Sequence, residues 1–203
     1  MNTGSYPADL TFLIVPGLRD HVEDHWQTHL AKQLPKSVTV PPLEHDKLSR
    51  AARVQALDDA LATIEGPVII VAHSAGCMMV AHWALRRARP IAGAVLAAPA
   101  DVETPMPAGY PSRDVLAAND WLPIPTTQLP FPSILAASSN DPLTELTRAR
   151  RFARDWGSRL VELGPVGHLN PASGHGPWPE AKQLISDLLR MIEAQEMELA
   201  TQD

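Results

Sequence analysis

The run Val68-Ile69-Ile70-Val71-Ala72-His73-Ser74-Ala75-Gly76 decides how this chain is read. Four consecutive β-branched aliphatic residues suit a strand buried on both faces, as in a parallel sheet. A turn of small residues follows, and then a helical stretch from Ala75 to Arg87. A strand that turns sharply into a helix lifts the residue at the turn, here Ser74, above the sheet edge. The turn strains that residue's backbone, so the positions two before and two after must be small. Ala72 and Gly76 meet this need, although such turns usually carry glycine where Ala72 stands. Ser74 would also sit at a helix N-terminus, where the backbone dipole favours negative charge. A serine that merely caps a helix would look the same in isolation, so the flanking chain has to decide.

Outward from this run, apolar strands alternate with helices. Thr11 to Val15 is a short apolar run ending at Pro16-Gly17. Asp20 and Glu23 have capping-box spacing and predict a helix reaching about Leu34. Ser37 to Val40 reads as a second strand, and a helix begins at Ser49. Ile91 to Ala97, Ser133 to Ala137 and Arg159 to Leu163 read as further strands. Helices are expected from about Thr144 to Trp156 and from about Pro179 to Ala194. Between Pro99 and Pro132 the pattern breaks: eight of the 20 prolines fall there. That predicts a long irregular excursion, with one short helix near Ser112 to Asn119. The expected architecture is one α/β domain over residues 1–195. It is a three-layer α/β/α sandwich of about six mainly parallel strands, with a frayed acidic tail over 196–203.

In such a sheet the functional edge is the carboxyl end of the strands. Ser74 follows the third strand. Asp141, in Ser138-Ser139-Asn140-Asp141-Pro142, follows the fifth, and His168, in Gly167-His168, follows the sixth. A histidine beside a serine can take its proton, and an aspartate can orient that histidine and stabilise its charged form. The chain order Ser, Asp, His is the order of the α/β-hydrolases. Asp101, after the fourth strand, is an alternative acid, and His175 a weaker rival base. Two backbone N–H groups are expected to face the developing oxyanion, those of Ala75 and Leu18, the latter in Pro16-Gly17-Leu18-Arg19. Trp26 and Trp121 are candidates for the walls of the substrate pocket.

These pieces together resemble the small serine hydrolases related to retinoblastoma-binding protein 9, with their bacterial predicted-esterase relatives. The matching segments are Pro16-Gly17, His25-Trp26-Gln27, Ala72 to Gly76, Ser139 to Pro142, Gly167 to Asn170, and Gly174 to Pro179. The resemblance spans about Thr11 to Leu189. It implies an α/β-hydrolase fold with little or no cap domain, a Ser–Asp–His triad, and hydrolysis of a small ester, amide or thioester without a cofactor. The family name suggests binding to the retinoblastoma protein through Leu-x-Cys-x-Glu. Here the only cysteine lies in Cys77-Met78-Met79, so that partner is not expected.

Bulk composition narrows the function further. Of 203 residues, 45% are hydrophobic and 20% charged, and the net charge is −6. That balance suits a globular domain and gives no basic surface for nucleic acid or anionic lipid. No apolar run approaches the roughly 20 residues of a membrane-spanning helix, and the first ten residues lack the pattern of a secretory signal. The expected location is cytoplasmic, and the expected partner is a small acyl substrate. One cysteine permits no intrachain disulfide. His21, His25 and His29 lie four apart, a spacing that can hold a metal, but solvent-facing helix histidines are the preferred reading and no metal is expected. Two other functions stay open on sequence: a non-catalytic binding protein on a hydrolase scaffold, and a flavodoxin-like nucleotide binder. The second lacks a glycine-rich phosphate loop after the first strand.

Overall fold

A computed structural model describes residues 6–20, 22–86 and 89–201. Six strands form one parallel sheet. In chain order they are β1 (Thr11–Val15), β2 (Ser37–Thr39), β3 (Val68–His73), β4 (Gly93–Ala97), β5 (Ser133–Ala137) and β6 (Arg159–Glu162). Their spatial order is β2-β1-β3-β4-β5-β6. The central strands β1, β3, β4 and β5 are buried at every position, which is why they read as unbroken apolar runs.

Alternate side chains feed two cores. Leu13, Val15, Ile70, Ala72, Leu96 and Leu135 pack beneath α2 (Arg50–Ala62), α3 (Ala75–Ala84) and α5 (Leu146–Trp156). Phe12, Ile14, Ile69, Val71, Val95 and Ile134 face α1 (Trp26–Gln33) and α6 (Glu180–Ala200). The short α4 (Arg113–Ala118) lies within the proline-rich excursion, capped by the Ser112 hydroxyl. The expected three-layer α/β/α sandwich is therefore the observed one.

Two boundaries differ from expectation. The first helix does not start after Asp20. That residue has φ 56°, and its carboxylate accepts from Arg53 at 2.7 Å. The helix is capped instead by His25, whose Nδ1 accepts the Gln27 N–H at 3.2 Å. At the other end, the expected frayed tail is helical through Ala200, because Glu196-Met197-Glu198-Leu199-Ala200 are strong helix formers that continue α6 beyond its last core contact. Residues 202 and 203 lie outside the described residues.

The excursion from 99 to 132 is no separate cap. Trp121, Ile124, Leu129 and Phe131 are buried in the core shared with α2, α3 and α5. Its backbone is tied down by side-chain donors. Trp156 Nε1 donates to the Pro125 carbonyl at 2.7 Å, and Arg50 Nε to the Asp120 carbonyl at 2.6 Å. Chain too irregular to pair its own carbonyls thus takes donors from α2 and α5.

Candidate active site

The turn from β3 into α3 places Ser74 at φ 58°, ψ −128°, a conformation that non-glycine residues hold only when their surroundings enforce it. The enforcement is visible. Ser74 N–H donates to the Ala97 carbonyl at 3.0 Å, and Cys77 N–H to the Ser74 carbonyl at 3.0 Å. Gly76 is the position that admits no side chain: a Cβ there would lie 2.4 Å from the Val15 carbonyl oxygen. Ala72, the departure from the usual motif, sits in β3 between Val15 and Leu96 and is fully buried. The steric demand therefore falls on Gly76, where α3 crosses the end of β1.

Ser74, His168 and Asp141 meet at the strand ends. His168 Nε2 lies 2.9 Å from Ser74 Oγ. His168 Nδ1 lies 2.8 and 3.0 Å from the two Asp141 carboxylate oxygens. The Asp141 side chain is 3% exposed and also accepts the Leu143 N–H at 2.8 Å. A carboxylate there fixes the proton on Nδ1, which leaves Nε2 as the acceptor facing the serine hydroxyl. The rival acid, Asp101, is engaged elsewhere: Arg148 grips it with two donors, at 2.7 and 3.0 Å.

The loop carrying His168 is held by residues to which the sequence analysis gave no role of their own. Gly167 has φ 61° and Leu169 φ 48°, so His168 lies between two left-handed residues. Asn140 Oδ1 accepts the Gly167 N–H at 2.7 Å. His73 Nε2–H donates to the His168 carbonyl at 2.8 Å. Burial, with His168 and His25 close by, holds His73 well below the ordinary imidazole range, so it stays neutral and keeps that donor. The β3 end that presents Ser74 thereby also anchors the backbone of His168.

A cavity of about 450 Å³ opens over Ser74, within the usual range for small-molecule sites. Leu18 and Ala75 line it beside Ser74 and His168. Gly17 approaches so closely that a Cβ there would lie 3.3 Å from Ser74 Oγ. Arg53 braces this loop from α2, with Nη2 donating to the Leu18 carbonyl at 3.1 Å and Nη1 to Asp20 at 2.7 Å. Its signal in the sequence was a lone charge in phase with the apolar positions Leu57 and Leu61.

Neither candidate tryptophan lines the cavity. Trp26 is buried against Trp178 and His73. Trp121 is fully buried and donates Nε1–H to the Leu48 carbonyl at 2.7 Å. Both are core residues; the excursion contributes Met106, Gly109, Tyr110 and Pro111 to the wall instead. His25 is buried rather than solvent-facing, and His29 contacts Asp24 at 2.8 Å. His21 lies outside the described residues. Among the described residues, no group of three potential ligands could hold a metal ion, and no helix is long and apolar enough to cross a membrane.

Comparison with known proteins agrees with this fold. No curated protein matches the chain. A protein described as a YdeN-like hydrolase, from Pectobacterium atrosepticum, is 31% identical, with 91% of this chain and 92% of that one covered and a TM-score of 0.77. The ydeN gene product of B. subtilis is 17% identical, covering 90% and 100%, at 0.68. Est1E of Butyrivibrio proteoclasticus, solved with ferulic acid bound, is 11% identical, covering 93% and 89%, at 0.65. The family model described as serine hydrolase matches residues 12–187, a span that includes both the Ser74 turn and the His168 loop. The chain therefore belongs to the serine hydrolase family and has the α/β-hydrolase fold.

Proposed function

We propose that this hydrolase cleaves a small carboxylic ester, or a related thioester or amide, by acyl transfer to Ser74. The reading rests on one observation above the others: the unbroken hydrogen-bond chain Ser74–His168–Asp141 at the floor of the cavity. His168 Nε2 takes the Ser74 proton as Oγ attacks the substrate carbonyl carbon. The carbonyl oxygen becomes an oxyanion, which the backbone N–H groups of Leu18 and Ala75 stabilise. His168 then gives its proton to the leaving oxygen, and the acyl group stays on Ser74. Water repeats the sequence with His168 as base and releases the acid. Asp141 holds the imidazole in the required tautomer and offsets its transient positive charge. These steps need no cofactor.

A fluorophosphonate probe is expected to label the wild-type protein and not Ser74→Ala, and short-chain esters to be hydrolysed only by the former. Unlabelled wild-type protein, or equal hydrolysis by the two, would overturn the proposal.

A further inference from the structure

We infer that the ester this site takes carries a carboxylate, and that Arg19 receives it. The inference rests on the serine hydrolase reading of Ser74 and deepens it to a substrate class.

The argument begins with charge around the cavity. Its wall is largely apolar, with Leu48, Met106, Pro111 and Leu143 among the lining residues. Two residues with full charges reach it, Arg19 and Asp20. Asp20 is already matched: Arg53, whose side chain is 5% exposed, donates to it at 2.7 Å. No described carboxylate lies within salt-bridge distance of Arg19. What the structure gives Arg19 is a ring. Its guanidinium carbon lies over Tyr110 at 4.9 Å from the centroid.

That contact does not neutralise Arg19, and it helps to orient it. A guanidinium held over a ring keeps its charge, and those of its N–H donors that do not face the ring stay available. An edge with paired donors matches the two oxygens of a carboxylate. The two partners come from different parts of the fold, Arg19 from the loop after β1 and Tyr110 from the excursion between β4 and β5. They meet at the rim of the same cavity. A positive edge here also runs against the protein's net charge of −6, which otherwise repels anions.

Distance limits the size of the substrate. A Cβ added at Gly17 would lie 3.3 Å from Ser74 Oγ, and two trans peptide links place the Arg19 Cα within about 8 Å of the Gly17 Cα. Ser74 and Arg19 line the same cavity of about 450 Å³, so a single small molecule can place its carbonyl on Ser74 and its carboxylate on Arg19. The carboxylate can belong to the acyl part or to the alcohol part. Both are esters with a carboxylate tail, and the test separates them.

Two matched pairs of esters are compared by pH-stat titration of the acid released. For the acyl side these are methyl hydrogen glutarate and methyl pentanoate. For the alcohol side they are 3-(butanoyloxy)propanoate and propyl butanoate. An apolar cavity with no cation would disfavour each anionic ester, giving kcat/KM ratios below one. The expected result is an anionic-to-neutral ratio of about 10 or more in one pair, which falls about tenfold in Arg19→Gln and declines as salt is raised. Tyr110→Leu keeps an apolar wall and removes the ring, and is expected to lower the ratio by about threefold. Ratios at or below one in both pairs, or a ratio unmoved by Arg19→Gln, overturn the inference while leaving the hydrolase reading intact if the neutral esters turn over. No turnover of any ester, with Ser74 unlabelled by fluorophosphonate, overturns both.

Discussion

β4 and β5 end side by side, and each is followed by a buried aspartate. Asp141, after β5, faces a histidine. Asp101, after β4, faces an arginine, and Arg148 reaches on from it to Glu103 at 2.7 Å. Glu103 in turn accepts the Ile124 N–H at 2.9 Å. One carboxylate is thus joined to the Ser74–His168 pair, here the candidate reactive edge, and the other to the anchoring of the excursion that walls the cavity. A strand-end aspartate acquires its role from its partner. Histidine can exchange protons near neutral pH, whereas arginine stays charged and serves only as a fixed clamp. Asp101 and Glu103 push the Arg148 pKa still higher, the Asp101 hydrogen bonds contributing most.

The sharpest way to break this contrast is to remove each charge with little change of shape. Asp141→Asn is expected to lower kcat by about 10³- to 10⁴-fold, because the neutral amide no longer enforces the tautomer that leaves Nε2 free. Its thermal midpoint should stay near that of the wild type. Asp101→Asn should do the reverse. It leaves a partly exposed guanidinium with one carboxylate fewer and a buried amide in place of the carboxylate, and we expect a loss of about 1–3 kcal/mol in denaturant unfolding with kcat changed less than about fivefold. If Asp101→Asn abolished ester hydrolysis while Asp141→Asn retained it, the assignment of roles would be inverted.

A smaller effect probes how the reactive edge is held. His73 lies beside Ser74 yet bonds to the backbone of His168. His73→Leu removes that donor to the His168 carbonyl, and kcat should fall about 10- to 100-fold with KM within about twofold, since positioning and not binding is lost. His73→Gln, which can present an amide N–H in nearly the same place, should recover most of kcat. Equal losses in the two variants would mean that the ring fills space and the hydrogen bond does not matter.

The same contrast explains what could be read from the chain. The strands were legible because parallel strands are buried on both faces and so are written as unbroken apolar runs. Ser74, Asp141 and His168 were legible as candidates because each follows such a run, in an order that suits one chemistry. The clamps were not. Arg148 and Asp101 are 47 residues apart, and no local pattern links them. Arg53 looks like an ordinary charge on a helix until its neighbours Leu57 and Leu61 are seen to be buried. Trp121 was misread for a related reason. A tryptophan among prolines suits a pocket wall as well as a core, and what decided it was the Leu48 carbonyl waiting for its N–H. The first helix began late because His25, a poor match to the usual caps, took the role expected of Asp20.

The smallest effect concerns the excursion's other anchor. His82 on α3 is buried, and its Nε2–H donates to the Trp121 carbonyl at 3.3 Å. Burial, with the Arg50 charge nearby, lowers its pKa from 6.5 to about 4, against a smaller opposing contribution from that hydrogen bond. Between those two values the unfolded chain binds a proton that the folded chain refuses. Stability is therefore complete above pH 6.5 and is lost as the pH falls toward 4. The full shift would be worth about 3 kcal/mol, and partial solvent screening reduces this to about 1–2 kcal/mol. His82→Gln keeps a donor and cannot titrate, so its stability should decline less steeply over that interval, by a few degrees in Tm at pH 4.5. His73, buried and depressed in the same direction, remains in the variant and preserves part of the slope. Hydrogen exchange at pH 4.5 should show the chain around Trp121 opening before β3 does in the wild type, and that order lost in His82→Gln. Identical pH slopes in the two proteins would show that acid acts first on the reactive edge, and that the excursion is the better anchored of the two regions.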